Sequence, residues 1–146
     1  MPELPDIELY LHALAPRVVG EPLTKVRLGS PFLLRTVEPK PAAFEGLEVQ
    51  GLRRLGKRIV FAFEGELFMV LHLMVAGRLQ WKKLGAPVPK RNGLAAFDFP
   101  EGTLLLTEAS KKKRARKRVL RFCTFSRDDQ KEEGAYSRLV LFLPFQ

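Results

Sequence analysis

The chain opens Met1-Pro-Glu-Leu-Pro-Asp-Ile-Glu8. Removal of Met1, which precedes a small residue, would leave Pro2 with a free secondary amine. An α-amino group titrates near ~7.7, far below a lysine at ~10.4. An amine deprotonated at neutral pH can attack an electrophilic carbon and form a Schiff base. Glu3, the next residue, could move a proton at the same centre. The competing reading is an ordinary chain start, with Glu3 a solvated surface acid.

Three further stretches carry chemistry-bearing residue types. Arg53-Arg54-Leu55-Gly56-Lys57-Arg58 is a dense basic turn between two apolar runs. Arginine forks and lysine point charges both suit phosphate, which makes Arg54, Lys57 and Arg58 candidate contacts. A solvated turn is the alternative. Leu71-His72-Leu73-Met74-Val75-Ala76-Gly77-Arg78-Leu79 holds a histidine and a methionine at a strand end; on its own, Met74 reads as a core filler. Lys111 to Arg118 has seven basic residues in eight positions. Such a block repels itself when free and suits a nucleic-acid backbone, so Lys111, Lys112, Lys113 and Arg114 join the candidates, with a solubilising segment as the alternative. His12 has no ligand partner nearby in sequence and reads as a surface histidine.

The elements that must position these groups are legible from periodicity. Ile7, Tyr10, Leu11, Leu14 and Val18 recur at spacings of three and four, predicting a helix over 5–19 with Pro5 and Asp6 in its first turn. Pro16 is awkward inside it, so the regular part is expected to end or kink near Ala15. The helix would set its positive end close to Pro2 and Glu3, where an anion is favoured. Strands are expected at 24–28, 47–55 with a bulge at Gly51, 59–63, 67–73, 78–81, 94–99 and 103–107. Glu64-Gly65-Glu66 and Pro100-Glu101-Gly102 read as hairpin turns, and Pro41 to Phe44 as a short helix closed by Gly46. Residues 30–40 read as loop with Phe32, Leu33 and Leu34 as core contacts; 82–92, with Gly85, Pro87 and Pro89, as another loop. Beyond residue 120 the pattern is irregular, with a charged stretch at 127–133 and an apolar run at 139–145 that reads as a final strand. The fold class is mainly β, a two-layer β-sandwich with an N-terminal helix. A generic sandwich would account for every apolar position in the middle of the chain.

The bulk numbers agree with one domain of 146 residues. Lys and Arg total 25 against 16 Asp and Glu, a net charge of +9. That excess suits a polyanionic partner, or solubility alone. A single cysteine, Cys123, excludes an intrachain disulfide and a thiolate zinc site within this chain, and its phenylalanine neighbours suggest burial. No cofactor or metal is expected. No run reaches the ~18 apolar residues of a membrane span, and the first residues do not read as a secretion signal. The expected setting is intracellular, cytoplasmic or nucleoid-associated.

MPELPDIE resembles the opening of the formamidopyrimidine-DNA glycosylase and endonuclease VIII family, whose motif reads PELPE-V-E or a close variant. Pro2, Glu3, Leu4, Pro5 and Glu8 match. The resemblance implies that Pro2 attacks the sugar C1′ of a damaged nucleotide and that Glu3 acts on the sugar ring. Arg54-Leu55-Gly56-Lys57-Arg58 resembles the family's RRxGKY element, which implies that Lys57 contacts phosphate near the lesion and assists catalysis; Arg58 stands where an aromatic residue is usual. His72 and Met74 resemble the family's HLGMSG run. The histidine there lies near the DNA backbone, and the methionine helps fill the gap left by the extruded nucleotide. Thr107-Glu108-Ala109-Ser110-Lys111 departs from the family's TDPRRFG loop, which supplies an arginine facing the orphaned base and an aromatic wedge.

The resemblance covers residues 1 to 108. It implies a glycosylase-like catalytic domain over 1–120, a divergent segment over 121–146, and a partner in damaged double-stranded DNA. Family enzymes continue into a helix-two-turn-helix domain and often a zinc finger, for which this chain has neither the length nor the cysteine pairs. The chain is then a fragment, or a product whose C-terminal part is replaced or supplied by a partner chain. Alongside the enzyme stands a second reading, a non-catalytic DNA-binding or assembly module built on the same lobe.

Overall fold

The computed structural model describes residues 4–29, 40–73, 77–108 and 120–124. The helix α1 spans Leu4–Val18. Ile7, Leu11, Leu14 and Val18 form its buried stripe, while Leu9 on the other face is exposed. Full burial of such side chains stabilises by roughly 1.5–3 kcal/mol each. Asp6 in the first turn and Arg17 in the last complement the helix dipole. The helix does not stop near Ala15: it runs through Pro16 to Val18. Pro16 sits on the exposed face, where water can satisfy the carbonyl one turn earlier that has lost its donor.

Among the described residues eight antiparallel strands make two four-stranded sheets, and the first seven fall where the sequence pattern predicts them. The first sheet contains β1 (Lys25–Leu28), β5 (Gly77–Lys82), β6 (Gly93–Phe99) and β7 (Gly102–Glu108), in the order β1-β6-β7-β5. The second contains β2 (Val49–Leu55), β3 (Arg58–Phe63), β4 (Leu67–His72) and β8 (Leu120–Thr124), in the order β2-β3-β4-β8. A 3-10 helix at Pro41–Phe44 delivers Phe44 to the inner layer, where its ring meets Phe63 and Phe122. The core lies between the sheets and under α1, uniting Ile7, Leu11, Leu52, Ile59, Phe61, Phe97, Phe99 and Leu104. α1 packs on β2 and β3, and Arg17 stacks over Trp81 of β5 at 5.9 Å. The helix therefore closes the side bounded by the edge strands β2 and β5.

The irregularity expected in β2 is present: the register with β3 shifts between Val49 and Gly51. Beyond it Leu52 faces the main core, and Leu55 joins Val60, Ala62 and Phe68 in a second apolar cluster on the opposite face of the sheet. Arg53 pairs in register with Val60 on that same face and is only 3% exposed. Desolvation holds its pKa below the ordinary arginine value. Arg53 is therefore withdrawn from the expected basic turn, buried on the sheet face away from the main core, the face that carries the second apolar cluster.

The strand β8 was not expected from sequence. It pairs with β4, Leu71 opposite Leu120 and Leu67 opposite Thr124, and runs across residue 120, where the expected domain ends. The side chain of Cys123, the core contacts expected of Phe32, Leu33 and Leu34, and the strand expected at 139–145 lie outside what is described. Among the described residues no helix is long and apolar enough to cross a membrane.

A buried polar knot ties the long loop after β5 to the first sheet. Arg27 donates from Nε and Nη2 to the Asp98 carboxylate at 3.0 and 2.8 Å, and from Nη2 to the Ala86 carbonyl at 2.7 Å. Thr103 donates to Asp98 and accepts the Gly85 amide. These bonds fix the loop at Gly85 and Ala86, and at its far end the Asn92 carbonyl accepts the Glu108 amide.

Candidate nucleic-acid interface

The β2–β3 connection is a two-residue turn, Gly56-Lys57, between the paired residues Leu55 and Arg58. Gly56 has φ +59°, the left-handed region that glycine enters without a side-chain penalty. This tight reversal puts Lys57 at the tip of the hairpin, half-buried. Arg54 lies on the sheet face that meets α1, since its register partner Ile59 belongs to the main core. Its Nε donates to Glu8 Oε1 at 2.7 Å, and its Nη1 donates to the Gly56 carbonyl at 3.1 Å. The second turn of α1 is thereby joined to the turn that carries Lys57.

Arg58 at the start of β3 stands opposite His72 at the end of β4. The chain then crosses to the other sheet at close range. A Cβ placed on Gly77 would lie 3.0 Å from the Leu73 Cα, so the end of β4 and the start of β5 touch through a position that admits only glycine comfortably. Gly77 pairs with Glu108, whose amide donates to the Asn92 carbonyl at 2.8 Å. One end of the sandwich therefore gathers the Lys57 turn, Arg58, His72, Arg78 and the turn that carries Lys90 and Arg91. β7 ends at Glu108 at this same end. The hairpin turns with Glu64, Glu66 and Glu101 lie at the opposite end, together with Lys82 and Lys83.

Sequence reading singled out eleven residues, and four of them are described: Lys57, Arg58 and His72 at this end, with Arg54 just behind them facing α1. Pro2, Glu3, Met74, Lys111, Lys112, Lys113 and Arg114 lie outside the described residues. Pro2 and Glu3 directly precede Leu4, the first residue of α1. Lys90 and Arg91, exposed at the same end, were missed because 82–92 read only as a loop. The adjacent pair of cations after Pro89 was the available signal. Glu8 was matched to a motif but given no part; nothing local in sequence links it to a residue 46 positions away. Among the described residues no three His, Cys, Asp or Glu side chains come together as metal ligands.

The model of the formamidopyrimidine-DNA glycosylase N-terminal domain matches residues 1–131. The formamidopyrimidine-DNA glycosylase of Thiobacillus denitrificans is 33% identical over 106 residues, covering 72% of this chain and 38% of the relative. That of Lactococcus lactis subsp. cremoris is 29% identical over 112 residues, covering 76% and 41%. The chain spans less than half the length of these relatives. Among solved structures, the Lactococcus lactis Fpg in complex with an abasic site containing DNA superposes with a TM-score of 0.75 at 23% identity, over 92% of this chain and 47% of the other. MutM in complex with carbocyclic 8-oxo-G containing DNA superposes with a TM-score of 0.74 at 24% identity, over 88% and 45%. At those identities the structures speak for the fold, and the family model for descent. The chain belongs to the formamidopyrimidine-DNA glycosylase family, matching its N-terminal domain.

Proposed function

We propose that this chain is the catalytic lobe of a DNA repair glycosylase and AP lyase that acts on oxidised bases or abasic sites in double-stranded DNA. The Pro2 amine attacks C1′ of the damaged or abasic deoxynucleotide and forms the new N–C1′ bond. On a damaged nucleotide the base departs, on an abasic one the C1′ oxygen departs as water, and Glu3 delivers a proton to the ring oxygen as the sugar opens. The resulting iminium acidifies the C2′ proton; its loss expels the 3′ phosphate and breaks the strand. Lys57 holds a backbone phosphate beside the lesion and assists proton transfer. Arg58, His72 and the 111–114 cations hold more distant phosphates.

The observation that carries this reading is the Glu8–Arg54–Gly56 link, which joins the helix that follows Pro2-Glu3 to the turn that bears Lys57. The relatives named above support it, one of them captured with abasic DNA. The remaining phosphate contacts come from a C-terminal domain or a partner chain. The site of action is intracellular, cytoplasmic or nucleoid-associated.

The test is borohydride trapping on an abasic duplex, with the wild type against Pro2→Gly. The wild type yields a covalent protein–DNA adduct and the variant does not. No adduct from wild-type protein proven free of Met1 sinks the proposal. A second reading, a DNA-binding or assembly module without chemistry, is favoured by Thr107-Glu108-Ala109-Ser110, which departs from the family's loop. It predicts salt-dependent binding with no adduct in the same assay.

A further inference from the structure

We propose that Glu8 and Arg54 form a positioning clamp that sets the distance between the Pro2 amine and Lys57, and that Arg54 does this in place of holding phosphate. The inference rests on the catalytic reading above. Arg54 was a candidate phosphate contact because it lies in a basic run. Its fork is instead committed at two points inside the molecule: Nε to Glu8 at 2.7 Å and Nη1 to the Gly56 carbonyl at 3.1 Å. The two acceptors belong to the two pieces of chain that the chemistry needs in register. Glu8 lies one helical turn after Leu4, the first residue of α1, and Pro2 stands two positions before Leu4 in sequence. Gly56 is covalently bound to Lys57, and its φ of +59° sets the direction in which that lysine leaves the turn.

Only an arginine can serve both acceptors in this way. A lysine offers one point charge on a flexible stem, whereas the guanidinium presents several donors in a fixed plane. The pair is partly open to solvent, with side-chain exposures of 36% for Arg54 and 49% for Glu8. An ion pair that exposed adds little to global stability. Its effect falls instead on local geometry, where a displacement of about an ångström of a reacting group lowers a rate by up to about a hundredfold. The packing of Ile7 and Leu11 holds the helix on the sheet as a whole. It leaves rotation of the first turns about those anchors to the clamp.

The experiment compares wild type, Glu8→Gln, Arg54→Ala, Arg54→Lys and the Glu8→Gln/Arg54→Ala double variant. The rate of borohydride trapping, the affinity for a duplex with an uncleavable abasic analogue and its salt dependence, and the thermal midpoint are measured for each. The clamp predicts that each single variant traps about tenfold more slowly, with affinity, salt slope and midpoint unchanged. It also predicts that the double variant is no slower than either single one, because both remove the same link. Arg54→Lys does not restore the rate. A phosphate contact predicts otherwise: Arg54→Ala lowers affinity and flattens the salt slope by about one unit, while Glu8→Gln traps as fast as wild type. That result overturns the clamp and leaves the catalytic reading standing. If wild type gives no adduct, the catalytic reading fails, and the clamp is judged by amide hydrogen exchange at Gly56 and Lys57. Faster exchange there in Glu8→Gln upholds the coupling, and unchanged exchange overturns it.

Discussion

Arg58 and His72 are direct cross-strand partners at the end of the β3–β4 ladder, one residue beyond the turn that carries Lys57. Successive side chains alternate faces, so both lie on the face away from α1, while Arg54 lies on the face toward it. Lys57 stands at the boundary between the two faces. Under the proposed function, a phosphate backbone running past this end of the sandwich would meet Lys57, Arg58 and His72 in sequence. Replacing Arg58 with alanine should weaken duplex binding at all sequences alike and reduce the salt slope by about one unit. A titration of affinity against salt concentration, wild type against variant, decides this; an unchanged slope removes Arg58 from the interface.

Lys57 should matter to chemistry more than to affinity. Lys57→Met keeps most of the length of the side chain and removes its charge and proton. The trapping rate on an abasic duplex should fall by about a hundredfold, the lower range for a general acid or base. Single-turnover kinetics with protein in excess separate this from binding. A variant that binds less tightly but reacts at the wild-type rate once bound would reduce Lys57 to a phosphate contact.

The turn geometry gives an independent handle on the same residue. Gly56→Ala forces a side chain into the left-handed region, at a cost of about 1–2 kcal/mol. No neighbouring atom lies within 4 Å of the added Cβ, so the cost is conformational and not steric. Gly56→Asn should recover part of the stability, since asparagine tolerates this conformation. Urea midpoints of the two variants test the order; equal destabilisation by both would mean that the backbone conformation is not what the glycine supplies.

Stability of the opposite sheet should depend on Asp98. Its carboxylate receives Arg27 twice and Thr103 once, and it is largely buried, with side-chain exposures of 24% for Arg27 and 10% for Asp98. Asp98→Ala leaves the guanidinium poorly solvated and without its counter-ion, which should cost about 3 kcal/mol. The double variant Asp98→Ala/Arg27→Met should be less destabilised than Asp98→Ala alone. Equilibrium unfolding in urea reads both, and additive losses would argue that the two residues act separately.

Much of this protein was written in short-range pattern. The spacing of Ile7, Leu11, Leu14 and Val18 fixed the helix and its buried face, because 3.6 residues per turn leaves one solution. Alternation from Val49 to Phe63 and from Leu94 to Thr107 fixed strands and hairpins, and Gly65, at φ +78°, marked a reversal that local backbone sterics dictate. Pro2-Glu3 and the Lys57 turn stood out as candidates because a terminal amine and a cationic turn are visible as residue types and match motifs of the family. Tertiary structure decided what depends on distant partners. A bulge beside Gly51 reset the phase of β2, sending Arg53 inward and Arg54 toward Glu8, and no nearest-neighbour rule predicts which of two adjacent arginines is buried. β8 became a strand because β4 offered an open edge to Leu120–Thr124, not because its own sequence alternates clearly. Lys90 and Arg91 reached the end that holds Lys57 and His72 only through the pairing of β6 with β7 and the contact of Leu73 with Gly77. Such long-range pairings are selected by the free energy of the whole packed core, which no single window of sequence contains.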